Sequence, residues 1–139
     1  MANIALISCV SKKLSCRAKA QDMYTSTLFK NSLKYAKNVL KPDRIYILSA
    51  KYGLLKLKEE IDTYNETLKN KSKKEKLEWS KKIINQINTK CDTKNDVFIF
   101  LAGQDYYKYL IPNLPNHKIL MENLKIGKRL QWLKGELNE

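Results

Sequence analysis

The chain has 139 residues, of which 43% are hydrophobic, and a formal net charge of +13. The length suits one domain with a single core, and the hydrophobic content excludes an intrinsically disordered chain. No apolar run reaches the roughly 18 residues of a membrane span, and the first residues lack a signal-peptide pattern, so we expect a soluble, cytoplasmic protein with no membrane partner. The positive charge favours polyanionic partners, but only three of the 27 basic residues are arginines, which also fits lysines spread over a solvated surface.

The first part of the chain predicts a strand, a helix and a second strand. Residues 3–9, NIALISC, are apolar on both alternating faces, as in a strand covered by helices on both sides. Thr25 or Ser26 can cap a helix that reaches about Leu40. Residues 44–49, RIYILS, then form the second predicted strand.

The middle of the chain continues this alternation. Ser72 opens a capping-box pattern that predicts a helix to about Asn88. Trp79 on this helix, like Trp132 near the C-terminus, is assigned to packing rather than to base stacking. Residues 96–101, DVFIFL, are a third apolar strand.

The last part of the chain predicts a short helix ended by Pro112, a weaker strand at 117–121 and a helix over 126–137. Because strands alternate with helices, the predicted fold class is α/β: a single domain over residues 1–139, with a mostly parallel sheet of about four strands flanked by helices in a Rossmann-like, three-layer arrangement. Ligands bind at the edge where the carboxyl ends of parallel strands meet. The polar loops expected to converge there are SCVSKK, SAKYG, AGQDYY and MENLKIG.

The loop after the first strand carries hydroxyls, a thiol and two ammonium groups. Lys12 and Lys13, with Ser8 and free backbone N–H groups, suit a phosphate or carboxylate, although the glycines and the G-K-[ST] ending of a Walker loop are absent. Nearby ammonium groups would also make Cys9 a plausible thiolate nucleophile. The structural alternatives are a solvated turn and a small buried cysteine.

The loop after the second strand is the other predicted half of the site. Gly53 suits a left-handed or tight-turn conformation, Ser49 and Lys51 could hold an anion, and Tyr52 offers a stacking face. Tyrosines are equally common half-buried between helix and sheet. The candidate catalytic residues are Cys9 and Lys51. The candidate ligand-binding residues are Ser8, Lys12, Lys13, Ser49, Tyr52, Gly53, Tyr64, Gly103 and Tyr106.

The sequence predicts no metal site and no cofactor. Cys9, Cys16 and Cys91 form no C-x-x-C pair, and His117 is the only histidine, so the usual zinc ligand sets are incomplete. Asp105 is expected to cap the short helix that begins there rather than to act as an acid or base.

The chain resembles an uncharacterised domain family of bacteria and phages over nearly its whole length. The segments that carry this likeness are LISCVSKK, DMYTSTLF, YILSAKYGLL, IDTYNETL, FLAGQDYYKYL and IGKRLQWL. Two further stretches, LSAKYGLLKLKEEIDTY and FLAGQDYYKYL, look like the YaaA family of peroxide-stress proteins, and SCVSKK is loosely similar to a Cys-Ser-x-x-Lys loop of archaeosine synthases, which act on a deazaguanine in tRNA. These resemblances imply an α/β fold with its site in the strand-end loops and, for the YaaA family, DNA binding during oxidative stress. Asn65 stands where the uncharacterised family usually has aspartate, so no essential carboxylate is expected there.

Two functions follow from these observations. The first is an enzyme or enzyme-like domain acting on a nucleotide or on a base in nucleic acid, with the phosphate near Lys12, Lys13 and Lys51 and the base against Tyr52 or Tyr106. The second is a non-catalytic DNA- or RNA-binding protein whose lysine surface does most of the binding. The substrate, the reaction and the oligomeric state are left open.

Overall fold

The centre of the molecule is a sheet of five strands, built mainly from the apolar segments of the sequence. The computed structural model describes residues 1–138. The strands are β1 (Asn3–Ser8), β2 (Ala18–Lys19), β3 (Arg44–Ser49), β4 (Gly53–Lys56), β5 (Glu60–Ile61), β6 (Val97–Leu101) and β7 (His117–Ile119). The central sheet has the order β4-β3-β1-β6-β7, and β2 and β5 form a separate antiparallel pair.

The four predicted strands are confirmed, and they run parallel to one another. β1 lies between β3 and β6, and β7 pairs with the outer side of β6. Ile4, Leu6 and Phe98 are completely buried, as expected for strands covered on both faces. The predicted fourth strand was too long, because β7 ends at Ile119 and Met121 takes a left-handed backbone conformation (φ 60°).

β4 is a strand that the sequence analysis did not predict. It follows β3 after a tight turn and pairs antiparallel with it, with Leu54 opposite Leu48. Gly53 enters this strand with φ 79°, so its predicted left-handed conformation is confirmed. The backbone N–H of Leu54 donates to Oε1 of Gln86 at 2.9 Å, which ties β4 to the long helix. Four residues between polar neighbours carry too short a pattern to be distinguished from a loop.

Helices flank the sheet among residues 1–138, and all but the first, which falls in a stretch for which no helix was predicted, lie where the sequence predicted them. They are α1 (Ala20–Met23), α2 (Thr27–Tyr35), α3 (Lys73–Lys90), α4 (Gln104–Tyr107) and α5 (Ile126–Glu136). A π-helical turn (Ala36–Leu40) prolongs α2, and two 3-10 turns lie at Leu68–Asn70 and Ile111–Asn113. Ser26 caps α2 by accepting a hydrogen bond from the N–H of Phe29, and Ser72 and Glu75 form the predicted capping box of α3.

One hydrophobic core joins these elements into a mixed α/β fold. α2 packs against α5 and β1, and α3 packs against β4. Trp79 is 8% exposed within this core, and Trp132 is half-buried with its ring centroid 5.1 Å from that of Tyr35, so both indoles pack as predicted. The finer Rossmann-like, three-layer description stays a prediction. No helix among residues 1–138 is long and apolar enough to cross a membrane.

Candidate functional site

The carboxyl ends of β1 and β6 lie at the switch point of the sheet, where the order in which the chain adds strands reverses. From β1 the chain first crosses to β3 on one side, and it later crosses to β6 on the other side. Open α/β sheets bind ligands in the crevice outside such a switch point. The loops SCVSKK and AGQDYY therefore flank the position at which this topology favours a ligand.

A cavity of about 450 Å³ lies at this switch point. Ser8, Cys9 and Ser11 line it after β1, and Gly103 and Tyr106 line it after β6. The rest of its wall consists of Val10, Leu28, Thr67, Lys69, Asn70, Asp105, Ile126 and Arg129. An apolar wall with a few convergent polar groups is the usual composition of a small-molecule site. We refer to this feature as the switch-point cavity.

Cys9 and Tyr106 meet in the wall of the switch-point cavity. The Cys9 thiol lies 3.1 Å from the Tyr106 hydroxyl, and either group could donate the hydrogen bond. Burial first, and then the neighbouring Cys9, raise the pKa of the Tyr106 hydroxyl, so this group stays protonated at neutral pH. The ring of Tyr106 is held edge-on against Trp79, with 5.6 Å between centroids. The site thus offers a thiol with a rigidly held phenol beside it.

Arg129 is a cavity residue that the sequence analysis missed. Its Nε–H donates to the carbonyl of Leu124 at 2.8 Å, and its guanidinium lies beside Gly103. Arg129 belongs to α5, which reaches the cavity by packing on α2. The rarity of arginine in this lysine-rich chain was the one signal that could have singled it out.

The predicted residues Ser49 and Tyr64 belong to a buried hydroxyl network behind the cavity. The Tyr64 hydroxyl is 2.8 Å from Oγ of Ser49 and 2.5 Å from the hydroxyl of Tyr24. Ser49 also accepts a hydrogen bond from the N–H of Tyr52. Burial is the main cause that raises the pKa of Tyr24 and of Tyr64, so both phenols remain neutral. These groups hydrogen-bond one another, and neither Ser49 nor Tyr64 lines the switch-point cavity.

Lys13 covers this network from the side of the β1 loop. Its Nζ lies 4.4 Å from the ring centroid of Tyr64, a cation–π arrangement. Burial lowers the pKa of Lys13, an effect that the nearby Cys9 opposes. The loop itself is held down by the N–H of Thr25, which donates to the carbonyl of Lys12. Lys13 therefore contacts tyrosine rings rather than the wall of the cavity.

The remaining predicted residues of the β3 loop lie away from the switch-point cavity. Lys51 is exposed, with Nζ 5.3 Å from the ring centroid of Tyr52, whose hydroxyl donates to the carbonyl of Asp62. Lys12 is also exposed. Neither lysine is among the described residues that line the cavity. An anion site between SCVSKK and SAKYG stays a prediction.

The prediction that Asp105 caps the short helix is wrong. Gly103 occupies the N-cap position of α4, and no side chain makes the capping hydrogen bond. The Asp105 carboxylate instead accepts a charged hydrogen bond from Nζ of Lys76 at 2.9 Å. This ion pair fixes α4 to α3 and neutralises the acidic group of the cavity wall.

A larger hollow, of about 570 Å³, lies at the opposite edge of the sheet. Its carboxylates already serve the backbone: Asp43 accepts from the N–H of Asn3, and Asp96 accepts from the N–H groups of Ala2 and Asp92. These bonds join the amino ends of β1, β3 and β6. The chemistry of this hollow is structural, and the switch-point cavity is the better candidate site despite its smaller volume.

No cluster of three or more metal-ligating side chains occurs among residues 1–138. The thiol of Cys9 is buried, that of Cys16 is exposed and that of Cys91 is intermediate, and all three are free.

Residues 4–135 match a family of unknown function, DUF6884. The chain belongs to this family. All the residues that line the switch-point cavity fall within the matched range. The predicted membership of an uncharacterised family is therefore confirmed, whereas the likeness to the YaaA family and to archaeosine synthases stays a prediction. A search of curated proteins found no match.

Proposed function

We propose that this chain binds a nucleotide, or a base presented by a nucleic acid, in the switch-point cavity. The supporting observation is the composition of the wall, where Val10, Ile126 and the ring of Tyr106 lie on the same cavity as the cations of Lys69 and Arg129. A base has two apolar faces that suit the first group of side chains. Its phosphate needs cationic hydrogen-bond donors, which Lys69 and Arg129 supply.

We further propose that the domain is an enzyme in which Cys9 reacts with the bound ligand. The thiol lines the cavity, and the Tyr106 hydroxyl at 3.1 Å can donate to it when it is a thiolate. The step we propose is an addition: the thiol proton passes to solvent, the sulfur adds to the carbon of a C=N bond in the ligand, and the nitrogen takes up a proton, so that no leaving group is needed. Lys51, the other candidate catalytic residue, is not among the described residues that line the cavity, and its ammonium lies over the ring of Tyr52.

A thermal-shift screen of nucleosides, nucleotides and modified bases tests the binding proposal. A ligand at 100 times its dissociation constant stabilises the folded state by about 2.7 kcal/mol. Ile126→Asp should abolish this shift, because it introduces a charge into the apolar wall at a residue that is 61% exposed and so contributes little to folding. Gly127→Asp is the matched control: it adds the same charge one residue away, with open space around its Cβ. Equal binding by both variants would refute the cavity as the site.

Intact-mass analysis tests the role of Cys9. Incubation with the best ligand should give either a covalent adduct or a converted product. Cys9→Ala should abolish this, and Cys16→Ala, which removes an exposed thiol, should not. An unchanged reaction in Cys9→Ala would exclude the thiol as the nucleophile.

The second candidate function is non-catalytic DNA or RNA binding of the YaaA type. It is favoured by the net charge of +13 and by the exposed lysines 73, 74, 81 and 82 on α3. Such a surface binder should lose affinity for an oligonucleotide steeply as salt rises, whereas a small-ligand pocket should lose much less. Lys81→Glu with Lys82→Glu should weaken the surface binder and leave ligand binding in the cavity intact.

A further inference from the structure

A backbone hydrogen bond orients the guanidinium of Arg129, which forms no ion pair with a carboxylate among residues 1–138. Its Nε–H donates to the carbonyl of Leu124 at 2.8 Å, and this bond orients the planar group. One terminal nitrogen lies 3.7 Å from the position that a Cβ on Gly103 would take. No ion pair within residues 1–138 involves Arg129. The two terminal nitrogens are thus held at the cavity with their hydrogen-bonding capacity free for a ligand.

The other two arginines of the chain are used differently. Arg17 is paired with the carboxylate of Asp62 at 3.2 Å on the surface. Arg44 donates to the carbonyl of Lys90 and lies near the thiol of Cys91. Arg129 alone of the three lines the switch-point cavity. A fixed planar guanidinium with no acidic partner is suited to bidentate recognition of a phosphate or carboxylate.

The charges on the wall limit how much negative charge the ligand can carry. The cavity is lined by two cations, Lys69 and Arg129, and by one acid, Asp105. Asp105 is neutralised by Lys76, which is not a wall residue. Two cations therefore face the ligand. A phosphate monoester carries about −1.5 to −2 at neutral pH, so one such group balances them.

We propose that Arg129, assisted by Lys69, binds a single phosphate of the ligand, so that the site selects a nucleoside monophosphate over both the nucleoside and the triphosphate. This inference rests on the proposed nucleotide binding, and it names the substrate class of that site. A triphosphate would bring roughly twice the charge that these two side chains can neutralise. A nucleoside would leave the guanidinium without its anion.

Isothermal titration with four ligands of one base tests the inference: the nucleoside, its 5′-monophosphate, its 5′-triphosphate and a short single-stranded oligonucleotide. The monophosphate should bind roughly tenfold to hundredfold more tightly than the nucleoside, the range expected for hydrogen bonds to a charged group. Arg129→Ala should reduce monophosphate binding to the level of the nucleoside and leave nucleoside binding unchanged. Lys69→Ala, at an exposed position where folding is not at risk, should reduce monophosphate binding by a smaller factor.

Lys128→Ala is the matched control, because it removes one exposed cation from the same helix without altering the cavity wall. It should bind the monophosphate as the wild type does. Equal affinity for nucleoside and monophosphate, or an unaffected Arg129→Ala, would overturn the inference while leaving base binding in place. Tighter binding of the triphosphate would also overturn it. So would tighter binding of the oligonucleotide than of the monophosphate, because the bound phosphate would then belong to a nucleic-acid strand. Failure of all four ligands, together with the absence of any thermal shift in the screen of nucleosides, nucleotides and modified bases, would refute the proposed function itself.

Discussion

The thiol of Cys9 lies 3.1 Å from the hydroxyl of Tyr106, and this contact joins two residues 97 positions apart in the chain. It connects the loop after β1 to α4, which follows β6, across the switch point of the sheet. Tyr106→Phe should therefore lower the free energy of unfolding by roughly 0.5–1.5 kcal/mol, the net value of one hydrogen bond. Urea unfolding measures this change. Tyr107→Phe is the control at the next position, where the ring packs on Phe100, and an equal loss in both variants would contradict the prediction.

The hydroxyl network behind the cavity should be more sensitive to mutation. Tyr64→Phe removes the group that joins the Tyr24 hydroxyl to Oγ of Ser49, and it leaves the Tyr24 hydroxyl buried without its partner. We expect a loss of about 1–3 kcal/mol in the free energy of unfolding, the desolvation cost of an unsatisfied buried group. Tyr52→Phe should cost less, because its half-buried hydroxyl makes only a 3.2 Å bond to a carbonyl. A smaller effect for Tyr64→Phe than for Tyr52→Phe would refute this account.

The turn before β4 requires a glycine at position 53. Gly53→Ala would place a side chain at φ 79°, which costs roughly 1–2 kcal/mol, and its Cβ would stand 2.5 Å from Oε1 of Gln86. Because Gln86 accepts the N–H of Leu54, moving it also weakens the attachment of β4 to α3. The melting temperature should fall. Gly127→Ala, in α5 with open space around its Cβ, should instead raise it through higher helix propensity.

Protonation of the Asp96 carboxylate should lower the free energy of unfolding at acidic pH. Its two backbone hydrogen bonds, from Ala2 and then Asp92, hold the pKa of this carboxyl below its ordinary value of 3.8. Since the folded-state pKa lies below the unfolded-state value, the stabilisation is complete above the unfolded value and is lost as the pH falls through the folded one. Asp96→Asn should lower the melting temperature at pH 7 and flatten its decline below about pH 4. Asp22→Asn, at an exposed site, should change neither quantity.

Thiol labelling should report occupancy of the switch-point cavity. Cys16 is exposed and should react with iodoacetamide first, whereas Cys9, which is 5% exposed, should react slowly. A ligand in the cavity should slow the labelling of Cys9 further and leave Cys16 unaffected, because only Cys9 lines that space. Mass spectrometry of the labelled peptides distinguishes the two sites. Protection of both thiols to the same extent would indicate general stabilisation instead of local binding.

Local pattern was sufficient for most elements of the fold. Apolar runs identified the first three parallel strands and a weaker pattern identified the fourth, while the candidate caps, Thr25 or Ser26 and then Ser72, located the starts of α2 and α3. These signals depend on residues close together in the chain, so they can be recognised without knowledge of the tertiary structure. β4 and the pair β2 and β5 were missed because strands of two to four residues gain their stability from the partner strand rather than from their own composition.

Residue pattern alone was enough to predict the α/β class, the polar loops after the strands and the reactive groups that these loops carry. It predicted that the four strand-end loops converge on one crevice, and the anion site between the β1 and β3 loops stays a prediction. The cavity that the structure shows lies between the β1 and β6 loops. The position of this cavity could not be read from local pattern, because the order of strands in a sheet depends on pairing between distant segments. The same holds for Arg129, which reaches the cavity through the packing of α5 on α2, and for Ser49 and Tyr64, whose hydroxyls bond to each other. A polar residue after a buried strand is free for a ligand only when no neighbouring residue satisfies it, and the packed structure determines those neighbours.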